Sequence, residues 1–196
     1  MNQFRNQRKE KLTIDLLKSK RRSLIWFIPI ILIFGLPYYL IWKVKFSVGY
    51  ITRQLTFMDF GVVGSSVLIL LVGVLGIIAH ELIHGITCAM FTKSGFKSIK
   101  FSVLWQMAIP YCHCRESLLI KQYIFGTIMP AIVLGFIPVT LALVTGHLGL
   151  FIFGSFFTMA SGKDFMIIYS LRNKKRNDLV RITYRKRIDY YAEKTR

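Results

Sequence analysis

The sequence predicts an all-α membrane protein, a four-helix transmembrane bundle with a short strand or hairpin at its cytoplasmic face. Three observations predict it. Hydrophobic residues make up 54% of the chain and the mean hydropathy is +0.48, more apolar than a soluble domain of 196 residues would be. Four apolar segments stand out, Leu24 to Trp42, Phe60 to Phe91, Tyr123 to Val144 and Leu148 to Tyr169, each near or above the ~20 residues that span a hydrocarbon core. Nearly all of the 27 Lys and Arg residues lie outside those segments.

Residues 1–23 form a basic leader in which Leu12, Ile14, Leu16 and Leu17 are mixed with Lys and Arg. This suits a short helix lying on lipid headgroups or, equally, a disordered charged leader. The first apolar segment is long, aromatic and ends "YYLIWKVKF" without a small-residue cleavage site, so it is expected to remain as an anchor. Residues 43–59 read as an outer loop. Between the second and third segments, Ile99, Phe101, Val103, Trp105, Met107 and Ile109 are apolar at every second position. That period belongs to a strand, interrupted at Pro110, and predicts a strand or hairpin dipping toward the inner membrane face. Such backbone is tolerated at membrane depth only within protein or beside a water-filled cavity. The third segment carries Gly126, Pro130, Gly135 and Pro138, which predicts a kink near Pro130. The tail, residues 172–196, alternates charge and aromatic residues without a catalytic pattern. The expected organisation is a leader at 1–23, a transmembrane domain at 24–171 and a basic tail at 172–196.

Orientation follows the distribution of basic residues. Eight precede the first segment, three lie between the first and second, five between the second and third, none between the third and fourth, and ten follow the last. Both termini are therefore expected in the cytoplasm of a bacterial inner (plasma) membrane protein. The net charge of +18 flanks the spans and accompanies no nucleic-acid reading module, so anionic lipid headgroups are the expected partner and nucleic acid is not. The three cysteines, Cys88, Cys112 and Cys114, imply no disulfide framework.

Chemistry concentrates in "GIIAHELIHGIT", Gly76 to Thr87. His80 and His84 are four apart, one turn above each other on one helix face, and can grip one metal ion. Glu81 beside them suits the general base that activates water at Zn²⁺. Two histidines need a third protein ligand. Of the nine acidic residues only Glu81 and Asp164 fall well inside apolar segments, which makes Asp164 the candidate. At about 1.5 Å of rise per residue, His80 and His84 stand about 10–17 Å from an inner helix end near Phe91, and Asp164 about 8–11 Å from one near Leu171. The three can meet at one depth. Small residues at Gly85, Ser161 and Gly162 favour close helix approach. Asp164 could instead pair with Lys163, and His113 of "YCHC" is the rival third ligand. Cys88 reads as an apolar filler, and His147 falls in the outer turn.

"HELIHG" in a membrane helix, a strand-like inner segment, a proline-bearing helix and "SGKDF" in a last helix together resemble the site-two-protease-like intramembrane zinc metalloproteases. More narrowly, the chain is similar to a small bacterial putative zincin peptidase family of uncharacterised membrane proteins. The resemblance covers roughly Phe60 to Leu171. It implies His80, His84 and Asp164 as zinc ligands, Glu81 as general base, and a membrane protein or peptide as substrate. Around Asp164 the sequence departs from the Asn-Pro-x-x-Asp-Gly and Leu-Asp-Gly patterns of site-two proteases, and no PDZ or CBS module is appended. The expected function is a zinc-dependent metallopeptidase acting within or beside the membrane. The alternatives are a zinc-binding membrane protein without hydrolytic activity, such as a metal sensor or carrier, and a structural protein of the membrane.

Overall fold

Helices dominate the computed structural model, which describes residues 10–15, 27–43, 47–55, 60–104, 109–184 and 187–193. The first helix, α1, runs in three pieces: Phe27–Ile30, a π-helical turn at Ile31–Gly35, and Leu36–Trp42. Helix α2 is Val48–Leu55 and α3 is Gly61–Ala89. A 3₁₀ turn, Gly95–Ser98, leads into the hairpin β2 (Ile99–Leu104) and β3 (Ile109–Cys114). Strand β4, Leu118–Leu119, precedes α4, which covers Ile120–Thr145. Helices α5 (Leu148–Ala160) and α6 (Gly162–Leu171) follow, then β5 (Leu179–Tyr184) and β6 (Arg187–Glu193). Strand β1 is Glu10–Asp15.

Two helices, α3 and α4, are long and apolar enough to cross a membrane, and the pair α5 and α6 makes a third if counted as one span bent by 42°. The described part of the first segment includes the shorter apolar helix Leu32–Trp42. The expected kink at Pro130 takes the form of a π-helical turn, Ala131–Phe136, directly after that proline. The same device occurs in α1. Each π-turn lies between two prolines, Pro29 and Pro37 in α1 and Pro130 and Pro138 in α4. A proline ring collides with the carbonyl four residues back, here that of Ile33 or Leu134, and widening the turn to an i→i+5 pattern makes room for it.

Of the expected strand or hairpin, the structure forms the hairpin, antiparallel with Ile99 opposite Cys114 and Leu104 opposite Ile109; other expectations change. Trp105 and Met107 fall outside the described residues. Pro110 is accommodated opposite Val103, because a two-stranded ribbon leaves each strand an edge where the missing N–H costs nothing. The outer loop contains α2. The leader, expected as a helix or a disordered charged segment, carries β1, which pairs antiparallel with β6 from Glu10 opposite Ala192 to Asp15 opposite Arg187. Leu12 and Ile14 are two apart, the strand period, and the tail that receives them is rich in Ile, Thr and Tyr. The resulting sheet has the order β1-β6-β5-β4.

The chain divides into two units interleaved in sequence, one built on Glu81–Met129 and Lys163–Arg196 with β1, the other on Ser23–His80 and Pro130–Gly162. In the second unit Tyr38, Ala142 and Leu148 form a buried cluster. The Tyr38 and Tyr50 hydroxyls both donate to the Gly146 carbonyl, at 2.8 and 2.6 Å, and Trp42 donates to Leu143 at 3.1 Å. Gly146 closes α4 at φ +75°, and a Cβ there would lie 2.9 Å from the Trp42 ring, so both conformation and space require glycine. Helices α4 and α5 touch through glycines. A Cβ on Gly154 would sit 2.7 Å from the Gly135 carbonyl oxygen, and one on Gly135 2.4 Å from Thr158 Oγ1. Without side chains between them the backbones pack directly, the usual means of holding helices together where lipid replaces water.

Candidate metal centre

The C-terminal third of α3 carries His80, Glu81 and His84, and the helix itself sets their relation. His80 and His84 fall one turn apart on one face, and Glu81 turns about 100° away from His80. His80 and Glu81 are 4% and 6% exposed, and Asp164 is 3% exposed. Three such groups survive burial only if they answer one another or a ligand.

The answering groups come from the first turn of α6. After Ser161, fully buried and donating to the Phe157 carbonyl at 2.9 Å, the chain bends and α6 begins at Gly162. Asp164 Oδ2 stands 3.5 Å from His84 Nε2. Lys163 Nζ donates to Glu81 Oε1 at 2.9 Å. Lys163 thus meets Glu81 across 82 residues of sequence. The ligand atoms of His80, His84 and Asp164 lie within 4.8 Å of one another, forming a group that could hold a metal ion.

His84 is held by a second interaction. Its Nδ1 lies 2.9 Å from the Gly126 carbonyl oxygen. A carbonyl can only accept, so Nδ1 carries a proton, and Nε2, which faces Asp164, is the nitrogen left for a metal ion. The Gly126 carbonyl is available for a reason written in the sequence. Four residues on, where its helical partner N–H would be, stands Pro130, which has none. Thr87 Oγ1 approaches the same oxygen at 3.4 Å. Gly126 also allows the approach itself, since a Cβ there would lie 3.0 Å from Cys88 Sγ.

This donor set fits a divalent zinc ion. Two ligand atoms about 2.0–2.2 Å from one tetrahedral ion lie about 3.3–3.5 Å apart, and the Nε2–Oδ2 separation of 3.5 Å matches without rearrangement. Two neutral imidazoles and a carboxylate are a usual zinc set that leaves a coordination position open.

Glu81, His84, Lys163 and Asp164 line a cavity of about 550 Å³, mouth included, within the first unit. Cys88, Cys112, His113 and Cys114 line it too. None of them joins a three-ligand group among the described residues. Burial pushes the Cys112 thiol well above its usual pKa, which keeps it a neutral thiol. Glu116, at the rim, accepts from the Lys93 and Ser94 amides at 2.9 and 3.2 Å and from the Ser98 hydroxyl. Led by the Ser98 bond, these donors hold its carboxyl down at about 2 and tie the loop after α3 to the turn that follows β3.

Three supports escaped sequence reasoning: the Lys163–Glu81 pair, the Gly126 carbonyl, and Phe157. The Phe157 ring lies 6.3 Å from the His80 ring at 28°, and Gly76 is its seat, because a Cβ on Gly76 would come within 2.3 Å of it. Gly85, expected to admit a neighbouring helix, instead admits the hairpin: a Cβ there would lie 2.6 Å from the Phe101 ring.

A helix bearing His-Glu-x-x-His, with a carboxylate brought to its second histidine from another helix, forms a group that could hold a metal ion. The chain belongs to the putative zincin peptidase family, whose model matches residues 73–179, more than half of its length. No curated protein and no solved structure matches it significantly.

Proposed function

We propose that the chain is a zinc metallopeptidase that hydrolyses a peptide bond of a membrane protein or peptide at, or just within, the cytoplasmic face of the bacterial inner membrane. The observation that carries this reading is the 3.5 Å approach of Asp164 to His84 beside Glu81 in a helix long and apolar enough to span. His80, His84 and Asp164 would hold the ion, which when bound polarises the scissile carbonyl and makes water a nucleophile at neutral pH. Glu81 takes a proton from the attacking water and delivers it to the departing amine nitrogen, so that water adds across the C–N bond. Strands β2 and β3 offer an edge on which an extended substrate can pair, a requirement for a carbonyl that must leave a helix to react.

Glu81→Gln is expected to keep stoichiometric metal at saturating zinc and to lose at least about 10²-fold in turnover, since an amide cannot accept the proton. Comparing membrane peptides in cells carrying the intact chain and this variant reads both the activity and the substrate. An identical peptide profile would remove Glu81 from the mechanism.

The topology proposed with this reading has four membrane segments and both termini in the cytoplasm, resting on 8, 5 and 10 basic residues against three and none. Reporters fused at either terminus and near Lys97 should be cytoplasmic, and one near Arg53 external. An external C-terminus would overturn the arrangement.

A further inference from the structure

The metallopeptidase reading assigns work to Glu81 but none to the ammonium that touches it. Lys163 reaches Glu81 Oε1 at 2.9 Å, with the lysine side chain 34% exposed and the glutamate 8%. The contact joins two elements of the first unit, the first turn of α6 and the C-terminal third of α3. A carboxylate this buried must be answered by a positive charge or it will seek one. In a zincin centre the nearest alternative is the metal ion.

We propose that Lys163 is the positioning residue of Glu81: it holds the carboxylate beside the metal rather than on it, at the cost of metal affinity. This rests on the metallopeptidase reading. The adjacent pair Lys163 and Asp164 divides the work, because neighbouring residues on a helix point about 100° apart. Asp164 reaches the histidine that binds, and Lys163 reaches the glutamate that reacts.

Electrostatics gives this proposal a signature that a merely structural lysine lacks. A unit charge within several ångströms of a divalent ion in a partly buried site changes its binding by about tenfold or more. Removing the ammonium leaves Glu81 unanswered and draws the cation in. Removing the carboxylate leaves Lys163 repelling it, and removing both restores the original balance. A lysine needed only for folding would lower zinc affinity when lost.

The test uses the purified full chain, with zinc affinity measured by competition against a chromophoric chelator. Lys163→Met should bind zinc about tenfold or more tightly than the wild type and yet lose turnover. Lys163→Arg should restore both values toward wild type, Glu81→Gln should bind about tenfold more weakly, and the double variant should return close to the wild-type affinity. Equal or weaker zinc binding by a Lys163→Met protein that retains its helical circular dichroism overturns the proposal, as does retained turnover. If Lys163→Met does not fold, the double variant carries the test, since it leaves no charge unpaired: adding Lys163→Met to Glu81→Gln must raise affinity about tenfold, and no rise overturns the idea. Failure of the metallopeptidase reading looks different, because the wild type would then bind no zinc or Glu81→Gln would leave proteolysis intact.

Discussion

Zinc binding is expected to vanish when His80 and His84 are both replaced by alanine. Two of the three proposed protein ligands stand on one face of α3, and the group they form with Asp164 spans no more than 4.8 Å. Changing only a residue that orients a ligand costs about 10–100-fold in metal affinity. Removing two ligands outright should therefore cost more than about 10⁴-fold. Alanine is the best helix former, so α3 itself is retained and the loss reports on the site. Metal analysis of the purified double variant decides the matter. One zinc per chain, still bound after dialysis against chelator, would show that the ion sits elsewhere.

The second large effect is expected at Asp164. It supplies the negative charge that meets His84 Nε2 at 3.5 Å, and at 3% exposure it leaves no room for bulk water to take its place freely. Asp164→Ala should weaken zinc binding by at least about 10²-fold. Asp164→Asn, which keeps shape and loses charge, should fall between it and the wild type. His113→Ala provides the contrast, because His113 lines the cavity but belongs to no three-ligand group among the described residues. If His113→Ala loses zinc while Asp164→Ala keeps it, the third ligand has been misassigned.

The legible part of the site was the part whose spacing matches a secondary-structure period. His80 and His84 are separated by one helical turn, and Asp164 could be found because so few acids lie inside apolar segments. Lys163 was harder. Its contact with Glu81 joins residues 82 apart in sequence, a separation that no helical or strand period marks. The hairpin shows the same limit: alternation from Ile99 to Ile109 reveals the pleat, but a pattern that continues through residues 105–108 does not announce where the chain reverses. In the leader Leu12 and Ile14 fit a strand while Leu16 and Leu17 invite a helix, and for Glu10–Asp15 only the partner β6 decides. The π-turns were invisible to a search for kinks, since their cause is the pairing of prolines eight residues apart in both α1 and α4.

Pro130 carries a consequence for anyone who would move this chemistry into another scaffold. The hydrogen it lacks frees the oxygen that fixes the tautomer of His84, so information that completes the motif is stored in a different helix from the motif. Grafting His-Glu-x-x-His onto a foreign span would transplant the donors and leave their instructions behind. The smallest portable unit is α3, α4 with its proline, and the first turn of α6 that carries Asp164.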